Sequence, residues 1–248
     1  MRLYRLLIGC LFLCLMSVDT RANIVLGGTR LIYPGGEREV TIPLANKGTT
    51  PALVQSWMDD GTADSTPENS SVPFLIMPPI TRIEGQASQS LRILYNGTAL
   101  PQERESLFWL NVLEVPPVAP DSKDKNNLLL AIQSRIKVFY RPASVKMPLH
   151  EAATQLTWQL FNKAGKWKLR CHNTSALYVS FSDIYVARSG QTLSNKEGIH
   201  MVAPGGQYVF ELNLQKTALP GLKDAEVKFD YINDYGALKT VIARVDSV

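Results

Sequence analysis

Arg135, Lys137 and Arg141 stand at odd positions in residues 127–142, which read NLLLAIQSRIKVFYRP. On a β-strand that spacing puts all three on one face, opposite Ile136 and Val138. A row of cations on an otherwise apolar strand suits one kind of chemistry, the holding of an anion by charge-assisted hydrogen bonds. Without an anion the charges need carboxylates of their own chain or water. Nucleophilic chemistry has a weaker basis. Cys171 is followed directly by His172, but neighbours on a strand point to opposite faces and form no dyad. Cys171 therefore reads as a buried structural thiol. His150, His172 and His200 are scattered, and HExxH, paired CxxC, GxSxG and glycine-rich phosphate loops are absent. Neither an enzyme, a metal site nor a cofactor is expected.

The element that carries the cations is itself unusual. Residues 127–142 contain no glycine, and no proline before Pro142, so a single long strand is expected. In its first half Leu128, Leu130 and Ile132 share one parity and Leu129 and Ala131 the other. Both faces are apolar there and both need cover. The same chain's core could supply it, and so could another chain.

The chain has 248 residues, 45% of them hydrophobic and 19% charged, with a net charge of +4. That is room for two packed domains, and the charge is too small and too scattered for nucleic acid. Residues 1–22 read as a signal peptide: Arg2 and Arg5 precede a short apolar run at 6–18, and Ala22 offers a cleavage site. Export is expected, with no membrane insertion after cleavage. Cys10 and Cys14 leave with the leader, so Cys171 has no disulfide partner.

Short alternating runs fill the remainder. Strands are expected at 24–26, 29–33, 39–46, 52–59, 74–77, 80–83, 90–95 and 106–112, with Trp57 as a core anchor. Pro78-Pro79 is a candidate site for a cis bond. After residues 144–153, which lack periodicity, strands are expected at 156–162, 167–173, 178–187, 198–202, 207–212, 226–232 and 239–245. At most one helical turn is expected, within 149–160. The expected organisation is all-β: a first domain at 23–143, a linker at 144–153 and a second domain at 154–248.

Five strings in order, TRLIY (29–33), MPPITRIE (77–84), LPQERESLFWLNVLEVPP (100–117), IKVFYRP (136–142) and YINDYGA (231–237), resemble the periplasmic pilus-assembly chaperones of the PapD type. The resemblance spans the mature chain and is densest in the first domain. It implies two immunoglobulin-like β-sandwich domains in an L-shaped arrangement. It also implies the periplasm as the destination of export, and a chaperone that completes pilus subunits with its own strand and delivers them to an outer-membrane usher. Strand donation of this kind is a known form of β-augmentation. By resemblance Leu128, Leu130 and Ile132 are the donor residues, offering roughly 5–9 kcal/mol gross before ordering costs. Arg30 and Lys137 match the pair that grips the subunit's C-terminal carboxylate. Glu105, Arg141 and Asp234 match an interdomain ionic cluster, and Pro51 and Pro78 a proline lock that gates usher binding. A self-capping homodimer is one state open to the free protein. The short loop at 116–126 resembles the branch whose clients build rod-like pili. Lys137 has the opposite parity to Leu130 and Ile132, so a bulge, a strong twist or a cleft using both faces is expected. The other exported class, a structural pilus or adhesin subunit, fits less well because both domains look complete.

Overall fold

Gly27 and Gly28 divide the N-terminal strand between two sheets, and this division builds the first domain. The computed structural model describes residues 23–117, 129–188, 191–195, 198, 200–213 and 225–247. The leader expected at 1–22, Leu128 and most of the loop expected at 116–126 lie outside the described residues. Before the glycines, β1 (Ile24–Leu26) pairs antiparallel with β3 (Glu39–Asn46). After them, β2 (Arg30–Pro34) runs parallel to β9 (Ile132–Arg141) in the other sheet. A Cβ on Gly27 would lie 2.5 Å from the Pro43 ring, so the crossing requires a residue without a side chain.

The remaining strands of this domain are β4 (Ala52–Asp59), β5 (Phe74–Met77), β6 (Ile80–Ile83), β7 (Ser88–Tyr95) and β8 (Ser106–Val115). They complete a four-stranded sheet, β1-β3-β7-β5, and a five-stranded one, β2-β9-β8-β4-β6. Alternation directs Ile42, Leu44, Leu91 and Ile93 from one sheet against Val54, Leu110, Val112, Val138 and Tyr140 from the other. Tyr33 is fully buried among Phe74, Tyr95 and Tyr140. Its hydroxyl donates to Glu37 O and accepts from the Tyr95 amide. The Met77–Pro78 bond is cis.

The second domain opens with a helix, α1 (Leu149–Thr154), where a helical turn was expected and overlapping the expected linker; Leu149, Ala152 and Ala153 pack into the second core. Its strands are β10 (Thr157–Lys163), β11 (Lys166–His172), β12 (Val179–Arg188), β13 (Gln191–Asn195), β14 (His200–Val202), β15 (Gln207–Asn213), β16 (Glu226–Ile232), β17 (Leu238–Arg244) and β18 (Asp246–Ser247). Trp158, Phe181, Phe210 and Phe229 stack edge-on or tilted at its centre. Cys171 is fully buried on β11, and burial pushes its thiol far up from the ordinary value; His172, its neighbour, faces the other way.

The all-β, two-sandwich architecture is as expected, with local differences. β13 and β18 were not anticipated: β13 has Leu193 as its one apolar residue and β18 is two residues long, so neither carries an alternation to read. The strand expected from residue 127 begins at Ile132. The ladder with β8 ends there, the last pair being Glu114↔Ile132, and residues 129–131 join none. Trp57 is buried, but on the odd face of β4 with Asp59 and away from the sandwich core, whose contributors from β4 are Ala52, Val54 and Met58.

Candidate functional site

The site is an unfinished edge. β9 pairs with β8 in one unbroken antiparallel register from Ile132 to Tyr140. On its other side β2 covers only Lys137 to Arg141. Residues 132–136 therefore have a neighbour on one side, and their outward backbone groups are unpaired within the sheet. The inward face of β9 runs out of sandwich at the same place. Val138 is fully buried, Ile136 partly, Ile132 is 43% exposed, and Leu130, just before the strand, is 67% exposed. Apolar side chains and an open edge thus coincide over one short segment, with Leu129 beside them at 53% exposure.

Arg30 and Lys137 stand where the open edge stops. They are register partners, Arg30↔Lys137, at the first pair of the parallel ladder. Arg30 Nη1 donates to the carbonyl of Ile232 at 3.0 Å, and its Nε is buried without a partner. Lys137 Nζ lies 5.6 Å from the Trp109 ring centroid. Among the described residues neither cation forms a salt bridge. Burial lowers the Arg30 guanidinium, against the pull of Asp234 and Glu105. Burial, and then the repulsion of Arg30, lowers the Lys137 ammonium from the ordinary 10.5. Two half-buried cations held side by side make a site that a carboxylate would relieve. The parity question also has an answer. The β8–β9 register contains no bulge between Ile132 and Lys137, so the two do face opposite sides. What they share is the strand edge, which borders both faces.

A pH dependence follows. Lys137 binds its proton less tightly folded than unfolded, so stability rises with pH between its depressed value and 10.5. Lys137→Met removes this slope and raises the melting temperature at neutral pH. Thermal unfolding of both proteins across that range measures it; parallel pH profiles would contradict it.

Beyond the cations, the C-terminal end of β9 meets the second domain. Arg141 Nε donates to Glu105 Oε1 at 2.7 Å, and Nη1 and Nη2 donate to the two Asp234 oxygens at 2.8 Å each. Glu105 Oε2 accepts the Tyr178 amide at 2.8 Å. Glu105, Arg141 and Asp234, far apart in sequence, therefore form one cluster spanning the domains. Burial acts to lower the Arg141 guanidinium, but Asp234 and Glu105 outweigh it and hold it above its ordinary value. Burial raises the Glu105 carboxyl despite Arg141 and the Tyr178 amide. The directions differ because the two carboxylates outweigh burial at the arginine, whereas at the almost fully enclosed glutamate burial outweighs its partners. Phe139 and Tyr178 pack their rings 5.7 Å apart beside this cluster.

The two prolines are not brought together. Pro51 borders an apolar hollow with Leu53, Val115, Pro116 and Pro117. The ladder from Ala52↔Ile83 to Gln55↔Ile80 lies between it and Pro78, roughly 15–20 Å at the rise of a strand. Sequence reading missed Asp59, Trp109 and Asn111, which hold the outward face of β9. The available signal was parity, since Asp59 shares a face with Trp57 rather than with Met58.

Comparison with known proteins bears on the fold and the family. Residues 23–146 match the family described as pili and flagellar-assembly chaperone, PapD N-terminal domain, and residues 151–243 match its C-terminal domain. The chain is 40% identical over 233 residues to the probable fimbrial chaperone YadV of Escherichia coli K12, covering 92% of each protein. The YadV crystal structure superposes with a TM-score of 0.75 at 38% identity, covering 90% of this chain and all of that one. The SafB chaperone structure from Salmonella enterica, solved with the SafA pilin, is also similar. Its TM-score is 0.71 at 27% identity, with 92% of this chain and 99% of that one covered.

Proposed function

The chain belongs to the PapD family of pilus-assembly chaperones, and on that premise we propose that it captures pilus subunits in the periplasm by completing them with the open edge of β9. The observation that carries this reading is the mismatch of ladders on β9: nine residues paired to β8, five to β2. The uncovered segment is where a subunit strand adds, and the exposed Leu130 and Ile132 fill the subunit's apolar groove. Leu128 extends the same series. Arg30 and Lys137 bind the subunit's C-terminal carboxylate, and their place at the end of the open edge sets the register of the added strand. The cluster of Glu105, Arg141 and Asp234 fixes the angle between the domains. Delivery to an outer-membrane usher uses the apolar hollow beside Pro51, and a second copy can cap the edge of the free protein. The family is one of chaperones rather than of enzymes, and membership sets aside the reading as a pilus subunit.

Co-expression with a fimbrial subunit of its own organism tests the proposal. A soluble one-to-one complex is expected. Head-to-tail polymers containing the chain, or no association, would overturn it.

Leu130→Glu is expected to weaken capture roughly 10- to 100-fold, the scale of one large apolar side chain. Its thermal unfolding stays at the wild-type temperature, because Leu130 is 67% exposed in the free protein. A fall in melting temperature would make Leu130 a core residue instead.

A further inference from the structure

The open half of β9 has lost one of its two ladders yet keeps an unbroken register with β8, and its outward side chains suggest how. Gln133, Arg135 and Lys137 alternate along that face, and each is held. Gln133 Nε2 donates to Asn111 Oδ1 at 2.9 Å. Arg135 donates to Asp59 Oδ1 and lies 4.6 Å above the Trp109 ring. Lys137 rests against the same ring. Beneath them Asn111 donates to the second Asp59 oxygen, which joins the separate holds into one row. Asp59 and Asn111 are 2% and 0% exposed, so the row is rooted in β4 and β8 and not on the surface.

The loop after β4 closes the row from above. The Gly61 amide donates to Asp59 Oδ1 at 2.7 Å. Gly61 has φ +103° and would place a Cβ 3.2 Å from Trp109 Nε1, so the loop seats on the indole only without a side chain there.

We propose that Asp59, acting through Asn111, Arg135 and Trp109, is a positioning residue for subunit capture. It keeps residues 132–136 extended and ready to pair, and it holds the Lys137 ammonium beside Arg30. This rests on the reading of β9 as the lending edge. An edge strand with one neighbour frays, and a frayed strand must be re-ordered before a partner can add. Asn111 and Asp59 remove that cost before the partner arrives by fixing the side chains on the face the subunit strand does not occupy.

The test has two arms on the whole mature protein. The first is amide hydrogen exchange on the free chain, for wild type, Asp59→Ala and Gln133→Ala. Exchange at residues 132–136 is expected to rise about tenfold, the scale of a lost charge-assisted hydrogen bond, with β3, β7 and the second domain unchanged. Gln133 is exposed, so its variant costs only the one hydrogen bond to Asn111 and stays informative if Asp59→Ala fails to fold. The second arm measures binding of a synthetic peptide of about 12 residues, alternating valine and threonine and ending in a free carboxylate. Dissociation is expected to quicken about tenfold in the variants that free the strand, and the double variant Asp59→Asn with Arg135→Gln, which restores a neutral hydrogen bond, recovers part of both effects. Unchanged exchange at 132–136 would overturn the proposal, as would faster exchange with unchanged dissociation or an increase spread over the whole domain. Wild-type protein that ignores the peptide while its variants still show the exchange change would instead count against β9 as the lending edge.

Discussion

Alanine at Arg30 or at Lys137 should leave a folded protein that no longer captures a pilus subunit. Removing one partner of a half-buried, hydrogen-bonded charge pair costs roughly 2–5 kcal/mol, about 30-fold to several thousand-fold in affinity. The free protein gains little from either cation. Arg30 makes one hydrogen bond to a carbonyl and leaves its Nε unpartnered, and Lys137 rests on an indole. Both are held charged against the preference of their surroundings. Melting temperatures should therefore stay close to wild type or rise while capture disappears. The two substitutions should be strongly non-additive, because both cations address one carboxylate. A subunit whose C-terminus is amidated supplies the chemical counterpart. It should bind wild type weakly and lose nothing further with the Arg30→Ala, Lys137→Ala double variant. Pull-down of subunit at wild-type yield by either single variant would end the carboxylate-anchor reading.

Arg141→Ala has the largest effect expected on stability. It strands Glu105, whose side chain is 1% exposed, without its cation. Breaking a buried pair this way costs about 3–5 kcal/mol, or roughly 6–20 °C in melting temperature for a chain of this size. Glu105→Gln should do less, since its one amide oxygen still accepts from either Arg141 or the Tyr178 amide, which address separate oxygens of the glutamate, while the burial of a charge is removed. The asymmetry is the signature of a cluster held by mutual compensation. Because Arg141 reaches Asp234 in the second domain, its loss should also split unfolding into two calorimetric transitions. One transition, with Glu105→Gln as damaging as Arg141→Ala, would contradict the cluster as an interdomain tie.

Much of this molecule was legible in one dimension. Period-two alternation located the strands from 39–46 through 106–112, because a half-buried strand must alternate whatever it packs against. The bounds failed where a strand depends on its neighbour. Residues 129–131 continue the strand pattern of the sequence, but the β8–β9 ladder stops at Glu114↔Ile132, and extended backbone without a ladder is not a strand. Trp57 failed for a related reason. Its size predicts burial, and it is buried, but parity put it on the outer face, where Asp59 and Trp109 lie across the sheet.

The candidate site divides in the same way. Composition and spacing alone determined that the chain is all-β, that Cys171 and His172 form no dyad, and that a cationic row follows closely on leucines in need of cover. Similarity of the motif strings supplied the names of Arg30, Lys137, Glu105, Arg141 and Asp234. Only the tertiary structure decided that Arg30 stands beside Lys137, more than 100 residues away, and that Arg141 closes on Glu105 and Asp234 together. It alone showed that β2 begins five residues after β9 does, leaving an open edge that ends at two cations. Alternation is a property of one strand and can be read along it, whereas an edge is the absence of a neighbour and exists only once the neighbours have been placed.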